Sequence, residues 1–207
     1  MIITIGREFG AGGRTIAKLV SEALGLEIYD KDIVRETVKS SGLEEQLVQQ
    51  EEEERKASDS FWRTLSSYAG SYYNDTQDEI HDLQKAIILK FAKQGPCIII
   101  GRCADVILKE AGYDCLNVFL YADELHCAMR AGELTNITDA TELQKYLHKK
   151  NGARESYYHH YTGKKWGDAH NYDMVLNTGT LGYDMCVKMI IDAYRQAQEN
   201  DASDNND

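Results

Sequence analysis

Proline is nearly missing from this chain of 207 residues, occurring once, at Pro96, and no Pro/Gly-rich linker divides it. The sequence therefore reads as a single domain over residues 1–198, and its 43% hydrophobic content is enough for a sizeable core. Paired cysteines are missing too. The five cysteines, Cys97, Cys103, Cys115, Cys127 and Cys186, are odd in number and never stand in a C-x-x-C spacing. That argues against a disulfide framework or a zinc site and suits a reducing cytoplasm. No basic stretch followed by a long apolar segment opens the chain, and no apolar run nears the ~20 residues of a membrane span. The expectation is a cytoplasmic protein with no membrane partner.

A basic surplus is also lacking. Net charge is −11, and most of it lies in Glu44, Glu45 and Glu51 to Glu54 and in the tail acids Glu199, Asp201, Asp204 and Asp207. The rest of the body is close to neutral. Nonspecific nucleic-acid binding is disfavoured, since no basic tract offers phosphate contacts in series. The acidic end, residues 199–207, reads as a disordered tail.

Between these limits the chain alternates short apolar runs with helical patterns. Strands are expected at residues 2–5, 26–29, 97–100, 116–121 and 173–176, with helices between them and a last helix over residues 183–198. Gly25 is placed to end the first helix, and Asp30 or Asp32 to cap the next. Thr76, Gln77, Asp78 and Glu79 have capping-box spacing ahead of a helix ending near Lys93. Phe61, Trp62, Leu65 and Tyr68 have helical spacing and read first as an aromatic face packed on the core, with an exposed base-stacking surface as the alternative. Five strands separated by helices imply an α/β fold: three layers around a doubly wound parallel sheet. Ligands of such sheets sit outside the carboxyl ends of the strands.

The first strand end carries the most specific signal. Gly6, Arg7, Glu8, Phe9, Gly10, Ala11, Gly12, Gly13, Arg14 and Thr15 turn a buried strand into a helix beginning Ile16-Ala17-Lys18. Glycines let a backbone approach a phosphate closely, and the new helix offers free N–H groups and a positive dipole end. Two phosphate-binding readings compete. A dinucleotide turn needs G-x-G-x-x-G with an acid about twenty residues on. Asp30 has that distance, but Thr15 stands where the third glycine belongs. A mononucleotide loop fits the glycines better, yet lacks the lysine that normally precedes its Ser/Thr. His159 and His160 are adjacent, point apart on a helix and have no H-x-x-x-H partner, so neither reads as a metal ligand.

The stretch Gly10-Ala11-Gly12-Gly13-Arg14-Thr15-Ile16-Ala17-Lys18 resembles the phosphate loop of bacterial cytidylate kinases, and the frame continues beyond it. Tyr29-Asp30-Lys31 and Arg35, Ile98-Ile99-Ile100-Gly101-Arg102, Val118 to Ala122 and Asp173 to Thr178 fall where those enzymes place their next site residues and strands. With the opening G-R-E-F-G and Tyr157 to Asp168, the chain resembles the cytidylate kinase-like family over about residues 1–195.

The resemblance implies a P-loop nucleoside monophosphate kinase-like fold with a helical acceptor-binding insert near residues 40–80 and a lid near 130–165. It implies ATP and Mg²⁺ as cofactors, a small-molecule nucleotide as partner, and phosphoryl transfer as the activity. Gly6, Arg7, Gly10, Ala11, Gly12, Gly13, Arg14, Thr15 and Ile16 would hold the donor phosphates, with the Thr15 hydroxyl on the metal and Asn177 and Thr178 near the donor base. Asp30, Arg35, Arg102, Asp105, Lys150 and Arg154 would bind the acceptor. Arg14, Arg102 and Arg154 would assist catalysis. Lys149, Lys150 and Arg154 are close enough to share a lid face, with Arg130 a further cation.

The sequence departs from cytidylate kinases at three points. Gly13 stands at the lysine position, so Arg14 or Arg7 must take over its charge. The loop is one residue longer. Ile100 replaces an aspartate before Gly101-Arg102, and Asp105 is placed to compensate. A nucleotide-binding regulatory or sensor protein with weak or no kinase activity is the alternative that the missing lysine favours.

Overall fold

Alternation along the strands decides how the layers form. In the computed structural model, which describes residues 1–41 and 72–204, the chain order is β1 (Ile2–Arg7), α1 (Gly13–Leu24), β2 (Glu27–Tyr29), α2 (Lys31–Ser41), α3 (Tyr72–Ala92), β3 (Cys97–Ile100), α4 (Ala104–Glu110), β4 (Cys115–Tyr121), α5 (Glu124–Thr135), α6 (Ala140–Thr162), β5 (Met174–Asn177), α7 (Thr178–Leu181) and α8 (Tyr183–Asp204). The strands form one sheet, ordered β2-β3-β1-β4-β5, and every pair is parallel. Ile3 and Ile5 of β1 join Ile98 and Ile100 of β3 on one face, packed by Ile16 and Val20 of α1 and Ile190 of α8. Ile2, Cys97 and Ile99 point the other way, into a core with Ile87, Ile88 and Phe91 of α3 and Ile107 and Leu108 of α4. A period of two thus supplies two cores to one sheet, as a parallel sheet covered on both faces requires.

Both central strands run past their apolar residues. β1 reaches Arg7 because Gly6 and Arg7 stay in register with Phe119 and Leu120 of β4. One buried polar pair lies within the sheet, where Thr4 Oγ1 donates to Asn117 Oδ1 at 2.7 Å. Burial without that partner would cost about 1–3 kcal/mol per group.

Several local expectations are corrected. The side chain of Asp30 goes to Arg14 and that of Asp32 to Arg35, not to the amides opening α2. The chain is already helical at Tyr72, so Thr76 to Glu79 lie inside α3 and do not cap it. The helix α8 continues through Asp204. The acidic run and the aromatic pattern of Phe61, Trp62, Leu65 and Tyr68 lie outside the described residues, as does most of the expected 40–80 insert. Among the described residues, no helix is long and apolar enough to cross a membrane.

Two glycines separate conformational strain from close approach. Gly25 ends α1 at φ 68° with open space around its α-carbon, whereas Gly10 has φ 88° and a methyl group there would lie 2.5 Å from the Cys127 carbonyl oxygen. Gly25→Ala should cost roughly 1–2 kcal/mol, the left-handed penalty alone. Gly10→Ala should add about 1–3 kcal/mol of overpacking to that. Urea unfolding of the two variants measures the difference.

Candidate active site

Chain order reverses beside β1, which lies between β3 and β4, so the crevice of the sheet opens beyond the end of β1. The glycine loop fills that position. Gly12 caps α1 at φ 76° with no side chain to bond the first-turn amides, and no acidic residue occupies that turn. The first amides of a helix have no intrahelical acceptor. Uncapped, they suit a phosphate, and the half-buried Thr15 sits among them. Gly10 lets the loop lie against α5, and Gly12 has the Tyr183 ring directly over its α-carbon.

Across the crevice, the ends of β2 and β3 bring charge together. Asp30 is 8% exposed; its Oδ2 accepts from Arg14 Nε at 2.5 Å, and its Oδ1 lies 3.8 Å from Arg7 Nη2. Burial pushes the carboxyl up, but Arg7, Arg14 and, at longer range, Arg102 outweigh it and hold the pKa below the ordinary aspartate value. Gly101, Arg102 and Cys103 follow β3 in three successive left-handed conformations, with φ 72°, 59° and 55°. For arginine and cysteine that backbone costs about 1–2 kcal/mol each. Such strain clusters at functional sites. The Cys103 thiol is pushed by burial up to about 12, which makes it a packing group rather than a nucleophile.

Arg7 runs between the two halves. A methyl group on Gly13 would lie 2.8 Å from Arg7 Cγ and 3.0 Å from Arg7 Cβ, and Arg7 Nη1 lies directly against the α-carbon of Gly101. The α6 helix closes over this arrangement. Asn151 Oδ1 accepts from the Phe9 amide at 2.8 Å, and Arg154 Nη1 donates to the Arg7 carbonyl at 3.0 Å. The Phe9 ring meets Tyr146 edge-on and carries the Arg154 guanidinium 5.6 Å from its centroid. The Lys150 ammonium lies 5.5 Å from the centre of the Tyr146 ring, and the residue is 5% exposed.

The structure thus brings together the loop residues, Arg7, Arg14, Asp30 and Arg102, with Lys150 and Arg154 on the covering helix. Other expected site residues make different contacts. Arg35 is exposed and paired with Asp32 on its own helix. Asp105 is half-buried beside Tyr158, whose hydroxyl donates to it at 2.7 Å; desolvation raises its pKa, while Asp30 is held down by Arg7, Arg14 and Arg102. Asn177 caps α7 through Thr180, while the Thr178 hydroxyl is buried and ties the loop to the sheet through the Ala11 and Tyr121 carbonyls. Lys149 is exposed and Lys150 buried, so the two do not share a face, and Arg130 pairs with Glu133. Phe9, Tyr146 and Asn151 were not singled out by the sequence; their contacts join positions more than 130 residues apart. Glu8 also meets a distant element. Burial raises its carboxyl, and it accepts from the Ala122 amide.

A family model of cytidylate kinase-like proteins matches residues 2–180. The chain belongs to the cytidylate kinase-like family. A cytidylate kinase of Archaeoglobus fulgidus is 26% identical over 202 residues, covering 93% of this chain and 94% of its own. A crystal structure of a protein from Eubacterium ventriosum superposes with TM-score 0.70 at 25% identity, covering 93% of this chain and 97% of that one. Shikimate kinase of Bacteroides thetaiotaomicron shares the fold, with TM-score 0.53 at 12% identity over 96% of this chain and 98% of its own. The five-stranded parallel sheet with flanking helices is the P-loop, nucleoside monophosphate kinase-like fold.

Asp30 gives this family member a defined acid response. Its folded pKa lies below the unfolded value near 3.9, so its stabilisation is complete above that value and is lost as pH falls through the folded one. Asp30→Asn should cost roughly 1–3 kcal/mol at pH 7. The gap from wild type should shrink as pH drops below about 4. Urea midpoints across pH measure it, and a gap constant with pH would contradict it.

Proposed function

We propose that this protein transfers the γ-phosphoryl group of ATP to a nucleoside monophosphate or a comparable small acceptor. Membership of the cytidylate kinase-like family supports a kinase role on a nucleotide or other small molecule, and the archaeal relative bears the name cytidylate kinase. The single observation that carries the reading is the meeting of an uncapped glycine loop with Arg7, Arg14 and Arg102 around Asp30, beneath a helix that brings Arg154.

Bound ATP and Mg²⁺ would supply the transferable phosphoryl group and the divalent charge on its phosphates. The residues present fit them. Amides from Gly10 to Thr15 would hold the donor phosphates, and the Thr15 hydroxyl would reach the metal. Among the described residues, no cluster of three or more His, Cys, Asp or Glu is placed to hold a metal by itself. That agrees with a magnesium held mainly by phosphate and water. Arg102 would bind the acceptor phosphate, whose oxygen attacks the γ-phosphorus as the bond to the ADP oxygen breaks. The protein's work is positioning and charge stabilisation. Docked on the loop, α6 would exclude water and aim Arg154 and Lys150 at the phosphates.

The second reading, a nucleotide-binding regulatory or sensor protein, takes its support from Gly13, where the lysine is absent. A coupled assay of ATP–Mg²⁺ against a panel of nucleoside monophosphates separates the two. Turnover is expected with at least one acceptor, and Arg102→Ala should lower kcat on the order of 10²-fold. Nucleotide binding without turnover for every acceptor would sink the kinase reading and leave the sensor.

A further inference from the structure

We propose that Arg7 takes the place of the missing phosphate-loop lysine, and that Gly13 is a glycine because the Arg7 stem needs its space. The inference rests on the reading of the loop as a phosphate site. A side chain at residue 13 and the side chain of Arg7 compete for one volume: the first carbon of the former would fall 3.0 Å from Cβ and 2.8 Å from Cγ of the latter. The stem of Arg7 therefore fills the path along which a lysine from residue 13 would leave the loop. Beyond it, Nη1 lies against the bare α-carbon of Gly101, and Nη2 faces Asp30 Oδ1 at 3.8 Å. The guanidinium is thus set between the donor loop and the end of β3, where the transferring group would pass. The Arg7 side chain is 14% exposed, whereas that of Arg14 is 51% exposed and is bound through Nε to Asp30.

The two arginines accordingly divide the work. Arg7 contacts the donor phosphates, and Arg14 holds Asp30. The α6 helix grips the Arg7 carbonyl through Arg154, so the covering helix and the phosphate cation are fixed on one residue.

Calorimetric titration of the full chain with ATP–Mg²⁺ tests this. Arg7→Gln keeps the stem but removes the charge and should weaken ATP binding at least about tenfold, while Arg14→Gln should weaken it less than about threefold. Gly13→Ala should weaken binding in the wild type by displacing the stem, yet have no further effect in an Arg7→Gly background. Unfolding free energies give the same cycle without ligand: Gly13→Ala destabilises the wild type and not Arg7→Gly. The double variant Arg7→Gly/Gly13→Lys should recover ATP affinity over Arg7→Gly. Affinity for Arg7→Gln within about threefold of wild type, a larger loss from Arg14→Gln, or independent effects of positions 7 and 13 would each overturn the proposal. If ATP binding depends on Arg7 but no acceptor is turned over, the kinase reading fails and this one stands. A wild-type protein that does not bind ATP overturns both.

Discussion

The site depends on one buried carboxylate held ionised by arginines from other elements. Asp30 stands at the end of β2, and its guanidinium partners come from the end of β1, the start of α1 and the turn after β3. Burial by itself would favour the neutral acid, and only the arginines reverse that preference. Their meeting is a product of register. Ile5 pairs with Ile100 and Ile99 with Tyr29, so three neighbouring parallel strands end within three residues of one another. An antiparallel neighbour would send one of these charges to the opposite edge. The two apolar cores are thus what allow the charges to converge, because they fix the register that a one-residue slip would destroy.

The covering helix is tied into the same arrangement. The first half of α6 packs Leu143 and Leu147 into the core shared with α1 and α8, and its second half packs Tyr158 into the core shared with α3 and α4. Between those anchors lie Asn151 and Arg154, which bond the loop backbone, and the buried Lys150 beside Tyr146. Anchorage on both sides of the sheet means the helix cannot lift without disturbing Tyr158 or the two leucines. The Phe9 amide and the Arg7 carbonyl are the backbone groups it engages, and both belong to the turn that would hold the phosphates. Displacement of α6 and rearrangement of that turn are therefore mechanically linked.

Much of this could be read from the chain, for local reasons. A run such as Cys97-Ile98-Ile99-Ile100 signals a strand buried on both faces, and glycines at residues 10, 12 and 13 signal a tight turn whatever surrounds them. Gly25 ends α1 in the left-handed conformation its position suggested. The partners of individual side chains were less legible. Nothing local distinguishes Lys149 from Lys150, yet a rotation of one residue exposes the first and buries the second. Asp105 lies one helical turn from Arg102 in sequence, but the left-handed turn at Arg102 and Cys103 breaks that periodicity and leaves the carboxylate under Tyr158. The Thr178 hydroxyl, within hydrogen-bond reach of the Ala11 and Tyr121 carbonyls, is a further contact that spacing does not show. The pairing of Phe9 with Asn151 spans the whole topology and leaves no trace in spacing.

Supplying a phosphate cation from β1 rather than from the loop changes what that cation can do. A lysine at residue 13 would be a compact point charge on a flexible stem, whereas a guanidinium is a planar fork able to bond two oxygens at once. Arg7 is anchored on a strand paired on both sides, its stem passes Gly13 and its tip rests on Gly101. That confinement removes rotamer freedom before any ligand arrives, so less entropy remains to be lost on binding. The same confinement demands a glycine outside β1 at the start of α1, whereas Gly101 after β3 also has a left-handed φ of 72°. Substitution at Gly13 would therefore act on Arg7 first. The absence of a lysine and the presence of Gly13 are one structural fact, because the space along which the lysine would have extended already holds an arginine.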